Sequence, residues 1–130
     1  MKLFKRLRNR KLSEKDKRWN LFVDEVCEKE INDFNGIKKD AAICFWYDNE
    51  MNNGGHSSFF DWWPEIDKDE VYNTLMKISN KKIADNYMNA VKNGEKDNYE
   101  KTDDKFYEFD PSLSDYLMKF VEDNKDKLFK

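Results

Sequence analysis

The residues of this chain whose types best suit binding or catalysis lie together at one glycine turn. Gly54 and Gly55 precede His56, the only histidine, and Ser57 follows it. A helix beginning here would point backbone N–H groups at an anion, with His56 and Ser57 assisting. A structural interpretation is equally simple, with the glycines turning the chain and Ser57 or Ser58 capping the next helix. We favour the structural interpretation, because every helix has such an N-terminus.

The two cysteines, Cys27 and Cys44, give little support to a metal or catalytic site. Both lie in apolar stretches, where a thiol is usually a small, inert, buried hydrophobe. Their spacing from His56 lacks the close ligand pattern of zinc modules. One histidine and two cysteines also exclude a disulfide framework. The sequence therefore predicts no metal, no cofactor and no catalytic residue, and the 27 acidic side chains make any carboxylate pair uninformative.

Charge is divided unevenly along the chain. Residues 1–18 hold nine basic and two acidic side chains, a net of +7, which leaves 15 basic and 25 acidic ones, a net of -10, in the other 112 residues. We predict a basic N-terminal arm or helix extension over 1–18 and an acidic helical domain over 19–130. The acidic domain should repel nucleic acid and attract basic surfaces, whereas the arm could bind nucleic acid or a membrane, or pair with the domain.

Length and composition indicate one folded, highly charged domain. The chain has 130 residues, of which 38% are hydrophobic and 39% charged, and its apolar residues include 4 Trp, 6 Tyr and 10 Phe. Such large side chains can bury enough surface for a core. The N-terminal residues lack the apolar stretch of a signal peptide. No segment approaches the roughly 18 to 20 apolar residues that span a bilayer, so we expect a cytoplasmic protein without a transmembrane segment.

Apolar spacing and helix caps predict an all-α fold, a single compact domain of five or six helices. A helix over 13–34, capped by Ser13, should stop at Asn35-Gly36, and further helical segments cover 39–52 and 57–63. Another helix should start at Asp67, with Glu70 completing a capping box, and others near Asn80 and after Asp110-Pro111. Residues 95–105 read as a charged loop, and 106–109 as the one passable strand, though a very short one.

The stretch FFDWWP, residues 59–64, gathers four aromatic side chains. It could form a platform for nucleic-acid bases or a peptide. We favour a densely packed corner of the core, because aromatic side chains usually supply core area.

The segment YDNEMNNGGHSSFFDW, residues 47–62, resembles a family of bacterial DNA-mimic proteins. That family's pattern is a glutamate, an apolar residue, a gap, Asn-Gly-Gly and, after a short spacer, an aromatic pair. A second stretch, LMKFVEDNKDKLF at 117–129, is similar to the family's C-terminal helix, so the resemblance extends over about 40–129. His56 departs from the pattern, since an aromatic residue is common there. The matching positions are Glu50, Met51, Asn53, Gly54, Gly55, Phe59 and Phe60.

We interpret this motif as structural. Its glycines would turn the chain, Phe59 and Phe60 would enter the core, and Asn53 and Glu50 would hold the turn by hydrogen bonds.

The resemblance implies a helical protein whose carboxylates imitate a row of phosphates. Such a protein would occupy the nucleic-acid site of a DNA-binding protein and would not itself bind DNA through its acidic domain. Our first hypothesis is therefore a non-enzymatic interaction protein with a basic or DNA-binding protein as partner, and a homodimer is compatible with it. The candidate binding surface consists of Asp61, Glu65, Asp67, Asp69, Glu70, Asp97, Glu100, Asp103 and Asp104.

Two alternatives remain open at the level of sequence. An enzyme or small-ligand binder would place its pocket at the Gly54-Gly55-His56 turn beneath two tryptophans, Trp62 and Trp63. This alternative requires an exposed His56 with Glu50 within hydrogen-bond reach. A nucleic-acid or membrane adaptor would act through the basic arm.

Overall fold

Side-chain caps fix where the helices of this chain begin. In the computed structural model, which describes residues 12–129, the Ser13 hydroxyl accepts a hydrogen bond from the Asp16 N–H at 3.0 Å. The Asp16 carboxylate accepts from the Ser13 N–H in return, and Ser112 and Asp115 form the same reciprocal pair. The Asn80 side chain accepts from the N–H of Ile83. Each cap satisfies backbone donors that the first helical turn leaves free.

The predicted all-α class is confirmed for residues 12–129, of which 81% are helical and none lies in a strand. The number of α-helices over this range is eight, above the five or six predicted, because several are short. Two 3-10 helices, Ile31–Asp33 and Gly94–Asp97, lie between them. The α-helices are α1 Glu14–Glu28, α2 Gly36–Gly54, α3 His56–Trp62, α4 Lys68–Ile78, α5 Lys81–Asn93, α6 Glu100–Glu108, α7 Leu113–Asp123 and α8 Lys125–Leu128.

Helix α2 is the central element of the fold. It packs against α3, α4 and α7, while α5 pairs with α4 and then with α6, and α1 lies on α7. Alanines at 41 and 42 are fully buried and let neighbouring helices approach closely. Tyr47 and Met51 on the same helix are also fully buried. The core therefore forms around α2, whose C-terminal end leads directly into the glycine turn.

The predicted first helix is too long. Helix α1 ends at Glu28, and Lys29 and Glu30 continue in extended backbone. The 3-10 helix Ile31–Asp33 then returns Ile31 and Phe34 to the core, where they are 2% and 5% exposed. Gly36 does not stop a helix but begins α2, with a φ of +59°.

The predicted charged loop and strand at 95–109 are also wrong. The 3-10 helix Gly94–Asp97 and helix α6 occupy this stretch. Thr102 and Phe106, four residues apart, form the buried face of α6, and buried Asn86 of α5 donates to the Thr102 carbonyl at 2.9 Å. Because Thr102 and Phe106 are the only buried residues of α6, the segment lacks the run of apolar positions by which the other helices were predicted.

Asp67 caps α4 as predicted, but it forms no capping box. Its carboxylate accepts from the N–H groups of Asp69 and Glu70 at 2.7 and 3.2 Å. The Glu70 carboxylate does not return a bond and instead pairs with Lys39 of α2 at 3.1 Å.

Most of the predicted basic arm, residues 1–11, lies outside the described residues. The proposed boundary after residue 18 falls within α1, and Arg18 Nε donates to Glu122 Oε2 of α7 at 3.0 Å. None of the helices between residues 12 and 129 combines the length and apolar character needed to cross a membrane.

We expect the Ser112→Ala substitution to lower the free energy of unfolding by about 1 kcal/mol, because it removes the cap of α7. Chemical denaturation monitored by far-UV circular dichroism measures this change. Ser114→Ala is the matched control, since Ser114 lies inside the same helix without a side-chain hydrogen bond to the described residues and alanine favours helix. Equal losses in the two variants would contradict the assigned cap.

Candidate functional site

The turn between α2 and α3 depends on glycine at position 55. Gly55 has φ +80° and ψ −165°, a region that side-chain-bearing residues essentially never adopt. Its N–H donates to the carbonyls of Glu50 and Met51, which closes α2. A Cβ at this position would lie 2.2 Å from Oδ2 of Asp103. Both the backbone conformation and the close approach of Asp103 therefore exclude a side chain.

His56 is completely buried and bonded on both sides of its ring. Its Nδ1 lies 2.6 Å from Asp103 Oδ1, and its Nε2 lies 2.6 Å from the Tyr47 hydroxyl. The His56 backbone N–H donates to the same Asp103 oxygen at 2.9 Å. A neutral ring satisfies all of these groups, since Nδ1–H donates to the carboxylate and the Tyr47 hydroxyl donates to Nε2.

The surroundings of His56 are aromatic. The rings of Phe60 and Tyr99 stack near it, with centroids 6.1 and 6.3 Å from that of the imidazole. This burial lowers the pKa of His56, and the hydrogen bond that the ring donates to Asp103 offsets the shift only in part. The alternative of an enzyme or small-ligand site at this turn requires an exposed His56. The structure contradicts that requirement, because no surface of the residue reaches solvent.

The turn does hold an anion, but the chain itself supplies it. The carboxylate of Asp103, from α6, accepts the first N–H of α3, where the helix dipole favours negative charge. The predicted serine cap is absent, since Gly55 is the N-cap and the half-buried Ser57 forms no side-chain hydrogen bond with the described residues. From the sequence we predict Asp103 as part of the binding surface. In the structure its side chain is only 22% exposed and bonds to His56.

Glu50 ties the end of α2 to α3. Its carboxylate accepts from the Ser58 hydroxyl at 3.2 Å and from the Trp63 indole N–H at 3.1 Å, and the residue is 8% exposed. Phe59 is buried against Tyr47, as expected for a core residue.

Of two other expectations for this region, one is wrong and one is met only in part. Asn53 is exposed and makes no side-chain hydrogen bond within residues 12–129, while the neighbouring Asn52 donates to the Asp48 carbonyl at 2.9 Å. Phe60 is partly buried and packs against the core.

The two cysteines differ in burial. Cys27, expected to be buried, is exposed on α1, whereas Cys44 is buried and its thiol pKa is raised by desolvation. Across residues 12–129, no three His, Cys, Asp or Glu side chains are placed to hold a metal ion.

Seven of the nine predicted surface carboxylates are exposed and form no ion pair with any residue between 12 and 129. The two exceptions are Glu70, paired with Lys39, and Asp103, bonded to His56. Residues 12–129 contain 17 basic and 27 acidic side chains, so a surplus of negative charge remains. The seven are Asp61, Glu65, Asp67, Asp69, Asp97, Glu100 and Asp104.

Part of this negative charge lies in two groups of acidic side chains, one on each side of the Phe60 ring. Asp67, Asp69 and Glu70 line an open depression of about 390 Å³ together with Asp40, which pairs with Lys77. The second group surrounds Tyr99, whose pKa is raised by burial and then by the charges of Glu95, Asp61 and Asp103.

The Phe60 ring connects the two groups. Lys68 Nζ, beside Asp67 and Asp69, lies 5.8 Å from the ring centroid, and the Tyr99 ring lies 5.5 Å from it. We define the acidic face as these two groups together with the exposed Glu65, Asp97, Glu100 and Asp104.

We expect the Gly55→Ala substitution to destabilise the protein by more than about 2 kcal/mol, because it combines backbone strain with loss of the Asp103 bonds to buried His56. Thermal and urea denaturation measure the effect. Gly36→Ala is the control, since Gly36 also has a positive φ but nothing lies within 4 Å of a Cβ there. That variant should lose only about 1 kcal/mol. A Gly55→Ala protein as stable as Gly36→Ala would contradict the close approach of Asp103 to position 55.

We expect the ring resonances of His56 to remain at their neutral positions as the pH falls through about 6.5, the ordinary pKa of histidine. Proton NMR reads this directly, because the chain has one histidine. The unfolded chain takes up a proton near that pH that the folded chain does not. His56 therefore lowers the free energy of unfolding as the pH falls from about 6.5 towards its folded-state pKa. A ring that titrates at or above pH 6.5 would contradict this burial.

Asp48 acts in the opposite direction over part of this range. Desolvation raises its pKa from 3.8 to about 6, so the folded chain binds that proton before the unfolded chain does. This raises the free energy of unfolding as the pH falls between about 6 and 4. In Asp48→Asn, which removes this compensation, acid should reduce the free energy of unfolding more steeply than in the wild type.

One comparison with known proteins identifies the chain's relatives. Residues 32–128 match the model of the DMP19-like protein family, a range that includes the glycine turn and the acidic face. Searches of curated proteins and of solved structures give no significant match. Because the family match extends over most of the chain, this protein belongs to the DMP19-like protein family, a family of DNA mimics.

Proposed function

We propose that this protein acts as a DNA mimic, binding a DNA-binding protein through its acidic face in place of nucleic acid. The observation that carries the proposal is the set of seven exposed carboxylates without an ion pair among residues 12–129. Carboxylates in this state can engage the lysines and arginines that otherwise neutralise phosphates. Membership of a DNA-mimic family supports the same function.

The scaffold holds the acidic face in a fixed arrangement. The Asp103–His56 bonds fasten α6 to the start of α3, and Phe60 lies against Tyr99. The Asp67 cap fixes the first turn of α4. A binding surface that is already ordered loses less conformational entropy when its partner docks. Rigid helices therefore suit a protein that must imitate a stiff polyanion.

Several predictions from the sequence accompany this proposal. The function needs no cofactor and no catalytic residue, and the protein is proposed to act as a non-enzymatic interaction partner. A cytoplasmic location, a homodimer and a role for the basic arm stay predictions from the sequence alone.

We expect the protein to release DNA-binding proteins from immobilised duplex DNA loaded with a bacterial extract. Simultaneous Asp61→Lys, Asp69→Lys and Asp104→Lys substitutions should reduce this release at least tenfold, since they reverse carboxylates contributed by α3, α4 and α6. These side chains form no hydrogen bond within residues 12–129, so the core is left intact. Mass spectrometry of the released fraction measures the effect, and circular dichroism verifies folding.

The matched control reverses three exposed carboxylates away from the acidic face, with Asp24→Lys, Glu28→Lys and Asp126→Lys. It changes the net charge by the same amount, so it should retain the release. Release by the wild type should also weaken as salt rises, because the contacts are ionic. Equal losses in both triple variants would show that net charge alone acts, and no release by the wild type at low salt would refute DNA mimicry.

A further inference from the structure

A second cavity lies beside the acidic face, where Trp62 and Trp63 follow Asp61 at the end of α3. It measures about 240 Å³ and is lined by residues of the 3-10 helix Ile31–Asp33 and by the chain that follows α3. We call it the Trp62 pocket, and its polar and aromatic walls are Glu30, Asn32, Trp62, Trp63 and Glu65.

The two tryptophans of this pocket differ sharply in their surroundings. Trp63 is held in place, because its indole N–H donates to Glu50 and its ring lies 5.2 Å from that of Trp46. Trp62 is 73% exposed, the highest value among the exposed large hydrophobic residues of 12–129. The prediction that these aromatic residues form a packed corner of the core is therefore wrong for Trp62. An exposed tryptophan at the rim of a cavity is typical of residues that anchor a protein partner.

The pocket also carries negative charge that the described residues do not neutralise. Glu30 and Glu65 are both exposed, and neither forms an ion pair with any residue of 12–129. The Asn32 side chain makes no hydrogen bond within the same range. An aromatic face beside carboxylates attracts a cation, since the ring quadrupole and the carboxylates act in the same direction.

The volume of the Trp62 pocket and the chemistry of its walls favour arginine over lysine. A volume of about 240 Å³ is below the roughly 300 Å³ at which small-molecule sites begin, and it suits one long side chain. A guanidinium group is planar, stacks on indole and donates several hydrogen bonds to carboxylates. A lysine ammonium is compact and strongly hydrated, so it gains less from the tryptophan.

We infer that the Trp62 pocket binds an arginine side chain of the basic partner, with the guanidinium stacked on Trp62 and paired with Glu65 and Glu30. This inference rests on the proposed function, because the arginine belongs to the surface that docks on the acidic face. It adds discrimination between arginine and lysine, which exposed carboxylates alone provide poorly.

The test uses the full-length protein with two peptides of equal charge, hexa-arginine and hexa-lysine. Hexa-arginine should bind roughly three- to tenfold more tightly by calorimetry. It should also move the Trp62 indole N–H resonance, which hexa-lysine should leave nearly unchanged. Trp62→Leu and Glu65→Gln should each bring the ratio of the two dissociation constants towards one.

Two control variants separate the pocket from general electrostatics. Glu28→Gln removes one exposed charge on α1, and Leu21→Ala trims an exposed apolar side chain of the same helix, which is 58% exposed. Both should keep the arginine preference. Loss of the preference in either control would overturn the pocket.

The remaining outcomes distinguish the two proposals. Equal binding of both peptides with an unmoved Trp62 resonance would overturn the arginine pocket and leave the acidic face intact. No binding of either peptide at low salt would overturn the acidic face, and the pocket with it.

Two further results would assign the pocket to another occupant and so overturn the inference. The Trp62 resonance of the protein alone would change on dilution if a second copy filled the pocket. It would change on Arg6→Lys, Arg8→Lys and Arg10→Lys substitution if the chain's own basic arm did.

Discussion

The carboxylate of Asp103 joins parts of the chain that are 47 residues apart, and the glycine turn is built around it. It accepts both the backbone N–H and the ring N–H of His56 at the start of α3. The ring in turn bonds to Tyr47, at the centre of the core. The buried N–H groups of His56 have no hydrogen-bond acceptor other than Asp103 among residues 12–129. Loss of the carboxylate would therefore leave these groups without a partner. The same carboxylate leaves no room for a side chain at position 55.

This arrangement also explains why a motif that looks suited to ligand binding carries no accessible site. A glycine turn, a helix N-terminus and a histidine together predict an anion site, and an anion is present. It comes from α6 and excludes an external ligand. The consequence for function is indirect. The Asp103–His56 hydrogen bonds fix α6 beside α3 and so set the relative positions of the carboxylates that these helices expose.

The sequence predicts the helices better than it predicts their contacts. Caps at Ser13, Asp67 and Asn80 are local signals, and the structure confirms them. Helix α6 was not predicted, since its buried face has only Thr102 and Phe106. These two residues are buried by contacts with Asn86 of α5 and Tyr47 of α2, which the local sequence does not reveal. The Asp103–His56 bond was equally hidden, because nothing local distinguishes Asp103 among 27 acidic residues. The exposure of Trp62 depends likewise on where the end of α3 lies relative to the 3-10 helix Ile31–Asp33.

A surface with surplus negative charge destabilises the folded state, so the core must supply the stability that the surface does not. Self-repulsion among 27 acidic side chains opposes compaction, and ion pairs on the surface return little of that free energy. The aromatic cluster around Tyr47 provides the opposing term, with the rings of Phe59, Tyr87 and Phe106 lying edge-on at 5.2 to 5.7 Å. Since this packing does not depend on surface charge, the seven exposed carboxylates can stay without an ion pair among residues 12–129. The proposed imitation of phosphates requires carboxylates in this state.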